Sequence, residues 1–221
     1  MSELATDSPA ARGVAAAGSD TRAVFSQTMG LVAVTTGFFA LGAYVGRHLT
    51  YGWGWAFFIG AFASLIAMRY AVAKAGPGAV VLLLAFGALI GLAVAPTVAY
   101  YTSANPAAVT EAGAATALTV TALAGIGYGA RRDLSGVARA ASWALVALIV
   151  CGIVAVLARV PNGALVYAVV GLVVFSALTV VDFQRLRRST DASSAPLLAA
   201  SIFLDALNIF LFFLTIFDNE S

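Results

Sequence analysis

Long apolar runs separated by short polar segments dominate the sequence. Each run has about the roughly 20 residues that an α-helix needs to cross the hydrocarbon core of a bilayer. None alternates between apolar and polar residues over about 10 positions, as a strand of a membrane barrel does. The pattern therefore predicts an all-α integral membrane protein with seven transmembrane helices, at Phe25–Gly46, Tyr51–Met68, Ala79–Tyr100, Ala107–Ala130, Val137–Ala158, Gly163–Asp182 and Pro196–Phe217.

The predicted helices divide the chain into one domain and two tails. Residues 25–217 form a single transmembrane domain, because the loops between the helices are too short to hold a soluble domain. Residues 1–24 are polar and rich in Ala and Gly, and we expect them to form a mobile tail, whereas residues 218–221 form a short acidic tail. The first apolar run is longer than the apolar region of a signal peptide, so we expect an uncleaved helix.

Composition narrows the possible classes of protein. The chain is 62% hydrophobic and 10% charged, whereas a soluble domain is about 25% charged, so a soluble globule and a disordered chain are both excluded. No basic stripe with interleaved aromatic residues is present, which argues against nucleic-acid binding. Cys151 is the only cysteine and His48 the only histidine, so a disulfide scaffold and a Cys- or His-based metal site are excluded. No span pairs a nucleophile with a base, and we expect neither an enzyme nor a bound cofactor.

The distribution of Lys and Arg predicts the orientation of the helices. Short loops on the cytoplasmic side of a membrane protein carry an excess of these residues. Ten of the 12 lie on the side of the N-terminus, and the other two, Arg47 and Arg159, lie opposite. The predicted topology is therefore N-in and C-out, with the excess formed by Arg12, Arg22, Arg69, Lys74, Arg131, Arg132, Arg139, Arg185, Arg187 and Arg188.

Asp205 is the clearest ionisable residue inside a predicted span. It lies about nine residues into the last helix, and helical spacing puts Ser201 and Asn208 on the same face. A carboxyl group at such a depth is expensive and usually marks an ion or proton pathway. The alternative is a structural carboxyl group that is protonated and hydrogen-bonded between helices.

Asp182 ends the sixth predicted helix, and Ser176 and Thr179 lie within the two turns before it. The predicted topology brings Asp182 and Asp205 to the same cytoplasmic half, on helices joined by a short connection. Two carboxylates in a low dielectric cannot both ionise cheaply, and such a pair titrates as a unit, which would make it a pH sensor. Alternatively, Asp182 is an interfacial residue screened by the arginines of its own loop.

Two other charged residues need an explanation. Arg69 closes the second helix at the cytoplasmic end, where it either snorkels to lipid phosphates or serves as a counter-charge to the aspartate pair. Asp133 precedes the fifth helix, where we expect it to form a cap or turn.

Several segments resemble the transmembrane Bax inhibitor-1 motif family. The closing signature of that family is similar to VYAVVGLVVFSALTVVDFQRLRR at Val166–Arg188, followed by ASIFLDALNIFLFFL at Ala200–Leu214. RRDLS at Arg131–Ser135 and APTVAYY at Ala95–Tyr101 look like further landmarks. The resemblance covers all seven spans and implies a seven-helix fold in which the last helix is central and surrounded by the other six. Because the sequence resembles bacterial members of the family, the resemblance also implies a location in the prokaryotic plasma membrane.

The resemblance also implies a function and roles for individual residues. The family includes pH-sensitive calcium-leak channels in which two aspartates form the sensor, and these match Asp182 and Asp205, while Arg69 matches an arginine that latches the pore. Two departures matter: Phe203 stands where Tyr is common, and the second helix has no carboxylate.

A calcium leak is the function we expect from these residues, with the bilayer, calcium and protons as partners. Asp182 and Asp205, with Ser201, Asn208 and a few further oxygens, would bind calcium only weakly, which suits permeation. The alternative is a regulatory protein that modulates a membrane protease or a stress or cell-death pathway through helix contacts with an unknown membrane partner. A retinal photoreceptor is excluded, because the only lysine is Lys74, in a loop.

Overall fold

The computed structural model describes residues 9–74, 78–158 and 163–220, with side chains for 20–50, 52–74, 78–155 and 163–219. Within these ranges the structure has seven α-helices, two 3-10 turns and no strand. All seven helices are long and apolar enough to cross a membrane, which confirms the predicted fold class. The helices are α1 (Pro9–Val45), α2 (Tyr51–Ala73), α3 (Gly78–Ala104), α4 (Pro106–Gly129), α5 (Ser135–Ala158), α6 (Gly163–Arg188) and α7 (Ala195–Glu220), and the turns are Gly46–His48 and Ala192–Ser194.

The ends of the chain differ from the sequence-based prediction. Helix α1 begins at Pro9, so residues 9–24 are helical where a mobile tail was expected, and residues 1–8 lie outside the described part. This segment is rich in Ala, the best helix former, and extending an existing helix adds a hydrogen bond per residue without a new nucleus. Helix α7 likewise continues to Glu220 instead of ending at Phe217.

Glycines allow α1 and α3 to approach until their backbones touch. A Cβ atom on Gly91 would lie 2.2 Å from the Phe39 carbonyl oxygen, and one on Gly42 would lie 2.3 Å from the Ala88 carbonyl oxygen. Close packing of small residues drives helix association where lipid offers no hydrophobic gain. Helices α1, α2 and α3 consequently form one closely packed group.

Helix α7 connects this group to the rest of the molecule. It packs against α1, α2, α3, α4 and α6, whereas α5 packs mainly against α6. Half of the residues in the most apolar stretch of α7 are buried, the largest share among the seven described helices. Its Phe203 lies in edge-to-face contact with the rings of Phe39 and Phe86, and its Phe212 contacts Phe175 of α6. The buried face of α7 is therefore surrounded by protein and not by lipid.

Candidate ion-pathway site

Asp182 lies near the arginine-rich C-terminal end of α6 and is buried, with 3% of its surface exposed. Its two carboxylate oxygens have different partners. The Ser201 hydroxyl of α7 donates a hydrogen bond to Oδ2, and Arg185, three residues further along α6, forms an ion pair with Oδ1 at 3.0 Å. Asp182 therefore joins α6 to α7 through a charge-assisted hydrogen bond.

Asp205 lies one helical turn after Ser201 on α7 and is 4% exposed. Its Oδ2 atom is buried and has no hydrogen-bond partner in the described part of the chain. The side chain of Thr179 is a near neighbour, and the charges of Asp182 and Arg185 act on Asp205 directly. The two aspartates are thus neighbours across the α6–α7 contact, although no direct hydrogen bond joins their carboxyl groups among the bonds of the described residues.

A cavity of about 530 Å³ opens beside Asp182. It lies between α2, α6, α7 and the connection from α6 to α7, and Asp182, Arg185 and Ser201 bring polar groups to its wall. Leu204 is also part of the wall, whereas Asp205, the next residue, is not. The cavity therefore reaches the first aspartate, and the second lies behind the wall.

Arg69 lines the same cavity from α2. Its side chain is exposed, and within the described ranges it forms no ion pair. The cation that holds Asp182 is Arg185 and not Arg69 in this arrangement. Arg69 is close enough to the cavity to contact an anion there. Because it does not pair with Asp182 in this arrangement, its role as a latch stays a prediction.

The supporting polar residues contribute unequally. Ser201 bonds Asp182 directly. The Thr179 hydroxyl is fully buried and donates to the Phe175 carbonyl oxygen at 2.7 Å, and the Asn208 amide donates to the Leu204 carbonyl oxygen at 2.8 Å. Ser176 is half-buried on α6. Of these four residues, Ser201 and Thr179 are therefore the ones that the fold places next to the aspartates.

Two residues at this end of α6 were not singled out from the sequence. Arg185 was grouped with the other loop arginines, although its spacing of three residues from Asp182 is typical of an ion pair on one helix face. Gln184 is 4% exposed. The sequence around it did not indicate a role, because its hydrogen-bond partners lie about 50 residues away in the chain. Its amide bonds the Arg132 carbonyl oxygen at 2.7 Å and accepts a bond from the Leu134 N–H at 3.2 Å.

Gln184 thereby ties α6 to the connection between α4 and α5, residues 130–134. Arg188 strengthens this junction with a bond of 3.4 Å to Asp133. Asp133 itself accepts hydrogen bonds from the backbone N–H and the hydroxyl of Ser135, which confirms the predicted turn before α5. These bonds lower the pKa of Asp133 below its ordinary value.

The site offers a cation few protein ligands. The described residues contain no group of three or more His, Cys, Asp or Glu side chains that could hold a metal ion. Calcium prefers six to eight oxygen ligands, whereas two carboxylates and the hydroxyls of Ser201 and Thr179 supply six at most, several of which already bond other protein groups. A cation reaching this site would therefore keep part of its water shell.

Comparison with known proteins gives two findings. The model of the family described as inhibitor of apoptosis-promoting Bax1 matches residues 21–221. The chain is also 30% identical, over 177 residues, to the inner membrane protein YbhL of Escherichia coli strain K12, and the match covers 73% of each chain. The protein of the same name from Escherichia coli O6:H1 matches with the same identity and coverage.

Proposed function

The chain is an integral membrane protein of the Bax1-inhibitor family, and on this premise we propose that it is a pH-sensitive calcium-leak channel of the bacterial plasma membrane. One observation carries the proposal. Two buried carboxyl groups, Asp182 and Asp205, are neighbours on two membrane-spanning helices, and Asp182 lines a cavity with other polar side chains. Buried ionisable groups in spans are rare and usually line ion or proton pathways.

The pair supplies the response to pH. In the protein interior two neighbouring carboxyl groups cannot both be charged cheaply, so the pair keeps at least one proton at acidic pH. When that proton leaves, Asp205 has no partner for Oδ2 that offsets its charge, and the two carboxylates repel. The repulsion acts on the α6–α7 contact that Ser201 and Asp182 form. The calcium leak therefore depends on the protonation of the pair as a unit.

Nearby arginines determine how strongly the two carboxylates of the pair repel each other. Arg185 faces it from α6 at 3.0 Å from Asp182, and Arg69 faces the cavity from α2. We assign the closed-state latch to Arg69, with Arg185 holding Asp182 in both states. Permeation then requires Arg69 to leave the cavity, and weak contacts of calcium with the carboxylates suit an ion that must also leave.

The proposal includes an orientation. The cavity and the pair lie at the end of the helices that carries ten Lys and Arg residues, which the positive-inside rule assigns to the cytoplasm. The N-terminus is then cytoplasmic and the C-terminus outside, with α7 central, as in the family. A reporter active only in the cytoplasm should stay silent when fused after Ser221, and a strong signal would contradict this topology.

Calcium flux into liposomes that contain only the purified protein tests the function. Flux above that of protein-free liposomes, changing steeply between about pH 6 and 8, is the expected result, because the two carboxyl groups are proposed to titrate as a unit. Glu111→Gln is a matched control, because Glu111 is an exposed carboxylate near the opposite end of the helices. A leak without pH dependence, or one that Glu111→Gln flattens, would contradict the aspartate sensor.

The same assay separates this function from regulation of another membrane protein through helix contacts. Absence of calcium flux from a well-folded protein would favour that alternative. Gly127 of α4, a small residue of the kind that favours helix contacts, is used inside the molecule, since a Cβ there would lie 2.3 Å from the Val180 carbonyl oxygen.

A further inference from the structure

A second cavity lies at the opposite end of the helices from Asp182. It has a volume of about 510 Å³, within the range of roughly 300–1,000 Å³ of small-molecule sites. Much of its wall is apolar and comes from α1, α3 and α7, through residues such as Phe39, Ala40 and Phe210. Its mouth is cationic and polar, formed by Arg47 and His48 in the turn after α1, with Tyr44, Thr102 and the remaining lining residues Ala43, Val98 and Ala99.

Arg47 is held in a fixed position at this mouth. Its guanidinium carbon lies 4.1 Å from the centre of the Tyr44 ring, and its Nε donates to the His48 Nε2 at 3.0 Å. Among the described residues no acceptor bonds the two terminal nitrogens of Arg47. These nitrogens form the fork that binds phosphate in a bidentate manner, and none of the described residues that line the cavity carries a carboxylate.

The depth of the mouth matches that of lipid headgroups. Aromatic side chains mark the boundary between hydrocarbon and headgroups in membrane proteins. Tyr44, Trp53, Trp55 and Tyr100 are all exposed at this end of α1, α2 and α3, by 58% to 72%. Arg47 therefore lies at the level where the phosphates of a bilayer lie, and the apolar wall below it lies at the level of the acyl chains.

We propose that this cavity is a binding site for an anionic phospholipid. The phosphate is bound by Arg47 and His48, and one acyl chain lies against Ala40, Phe39 and Phe210. The apolar wall favours a lipid over a free phosphate ion, and the fixed cation favours an anionic headgroup over an uncharged one. The binding is independent of calcium permeation and does not require the proposed function.

Native mass spectrometry of the detergent-purified protein tests this site with three probes: phosphatidylglycerol, a diacylglycerol with the same chains, and inorganic phosphate. The wild-type protein should retain phosphatidylglycerol in preference to both others. Arg47→Gln should lower its occupancy roughly five- to tenfold, through loss of the charge and of the bidentate contact. Arg131→Gln is the control, because Arg131 is exposed at the other end of the helices.

A second pair of variants tests the acyl chain. Ala40 lines the cavity and is exposed, so Ala40→Leu fills the groove without disturbing buried packing. Ala33 is exposed on the same helix, seven residues earlier and outside the cavity, which makes Ala33→Leu the matched control. Ala40→Leu should lower phosphatidylglycerol occupancy and Ala33→Leu should not. Wild-type occupancy in Arg47→Gln or Ala40→Leu would overturn the proposal, as would phosphate binding that Ala40→Leu leaves unchanged.

Discussion

Asp182 and Asp133 have the same kinds of partner in two different regions of the molecule. Asp182 accepts a hydrogen bond from the hydroxyl of Ser201 and pairs with Arg185. Asp133 accepts one from the hydroxyl of Ser135 and pairs with Arg188. The exposed fractions of the two aspartate side chains are 4% and 66%. Each aspartate thus bonds a serine hydroxyl and an arginine, and the main difference between the two is their exposure to water.

The surroundings decide what each carboxylate can do. Water solvates Asp133, so its partners serve to shape a turn, and solvent screening makes an exposed ion pair of this kind contribute little to stability. Asp182 is desolvated and has Asp205 as a neighbour, so adding or removing one charge changes the balance of forces between two helices. Partner chemistry alone therefore does not identify a functional carboxylate, whereas burial beside a second carboxylate does.

The largest expected effect comes from removing one charge of the buried pair. Asp205→Asn keeps the shape of the side chain and removes the titrating group, so the calcium flux of reconstituted protein should lose its steep change between about pH 6 and 8. Asp182→Asn should flatten the same curve, whereas Asp133→Asn should leave it as in the wild type. If both buried variants keep the wild-type pH profile, the carboxylates are structural.

The next effect concerns the two arginines at the cavity. Arg69→Ala should raise the calcium leak while thermal stability changes little, because Arg69 forms no ion pair within the described ranges. Arg185→Ala should lower stability, by more than the about 1 kcal/mol of a surface pair and less than the about 3–5 kcal/mol of a buried one, because Arg185 is 58% exposed while its partner is buried.

Flux and thermal unfolding measured on the same preparations distinguish these roles. Unchanged flux in a folded Arg69→Ala protein would return Arg69 to contacts with lipid phosphates. A calcium leak that is raised in Arg185→Ala but not in Arg69→Ala would show that the latch is Arg185 of α6 and not Arg69 of α2.

The parts of this site that depend on local sequence pattern could be predicted. The lengths of the apolar runs identified the seven helices, and Asp182 and Asp205 were recognisable because charged residues inside such runs are rare. That Arg69 does not pair with Asp182 could not be read in the same way, since the two residues lie on different helices, α2 and α6, and their distance depends on how the helices pack around α7. Gln184 was missed for a related reason: a single amide becomes informative only when the fold brings residues 130–134 to it.

Gln184 offers a test of the link between the two regions. Its amide bonds the residue 130–134 connection from a buried position, so Gln184→Ala removes hydrogen bonds to part-buried backbone groups, each contributing about 0.5–1.5 kcal/mol. Thermal unfolding should show this loss, and amide hydrogen exchange should rise in residues 130–134. Arg188→Ala, at an exposed pair, is the control with a smaller effect. Equal stability of the two variants would contradict the importance of the buried amide.

The smallest effect is expected at Asp133 itself. Hydrogen bonds from the hydroxyl and N–H of Ser135 are the main causes that lower its pKa below the ordinary 3.8. The bonds therefore favour the charged carboxylate in the folded loop, and their contribution is complete above that ordinary value and is lost as the pH falls through the lowered pKa. Amide exchange of Ser135, corrected for its intrinsic pH dependence, should lose protection in that acidic window. In Asp133→Asn the amide oxygen still accepts the bond but does not titrate, so protection should stay level; a parallel loss in both proteins would show that another group is responsible.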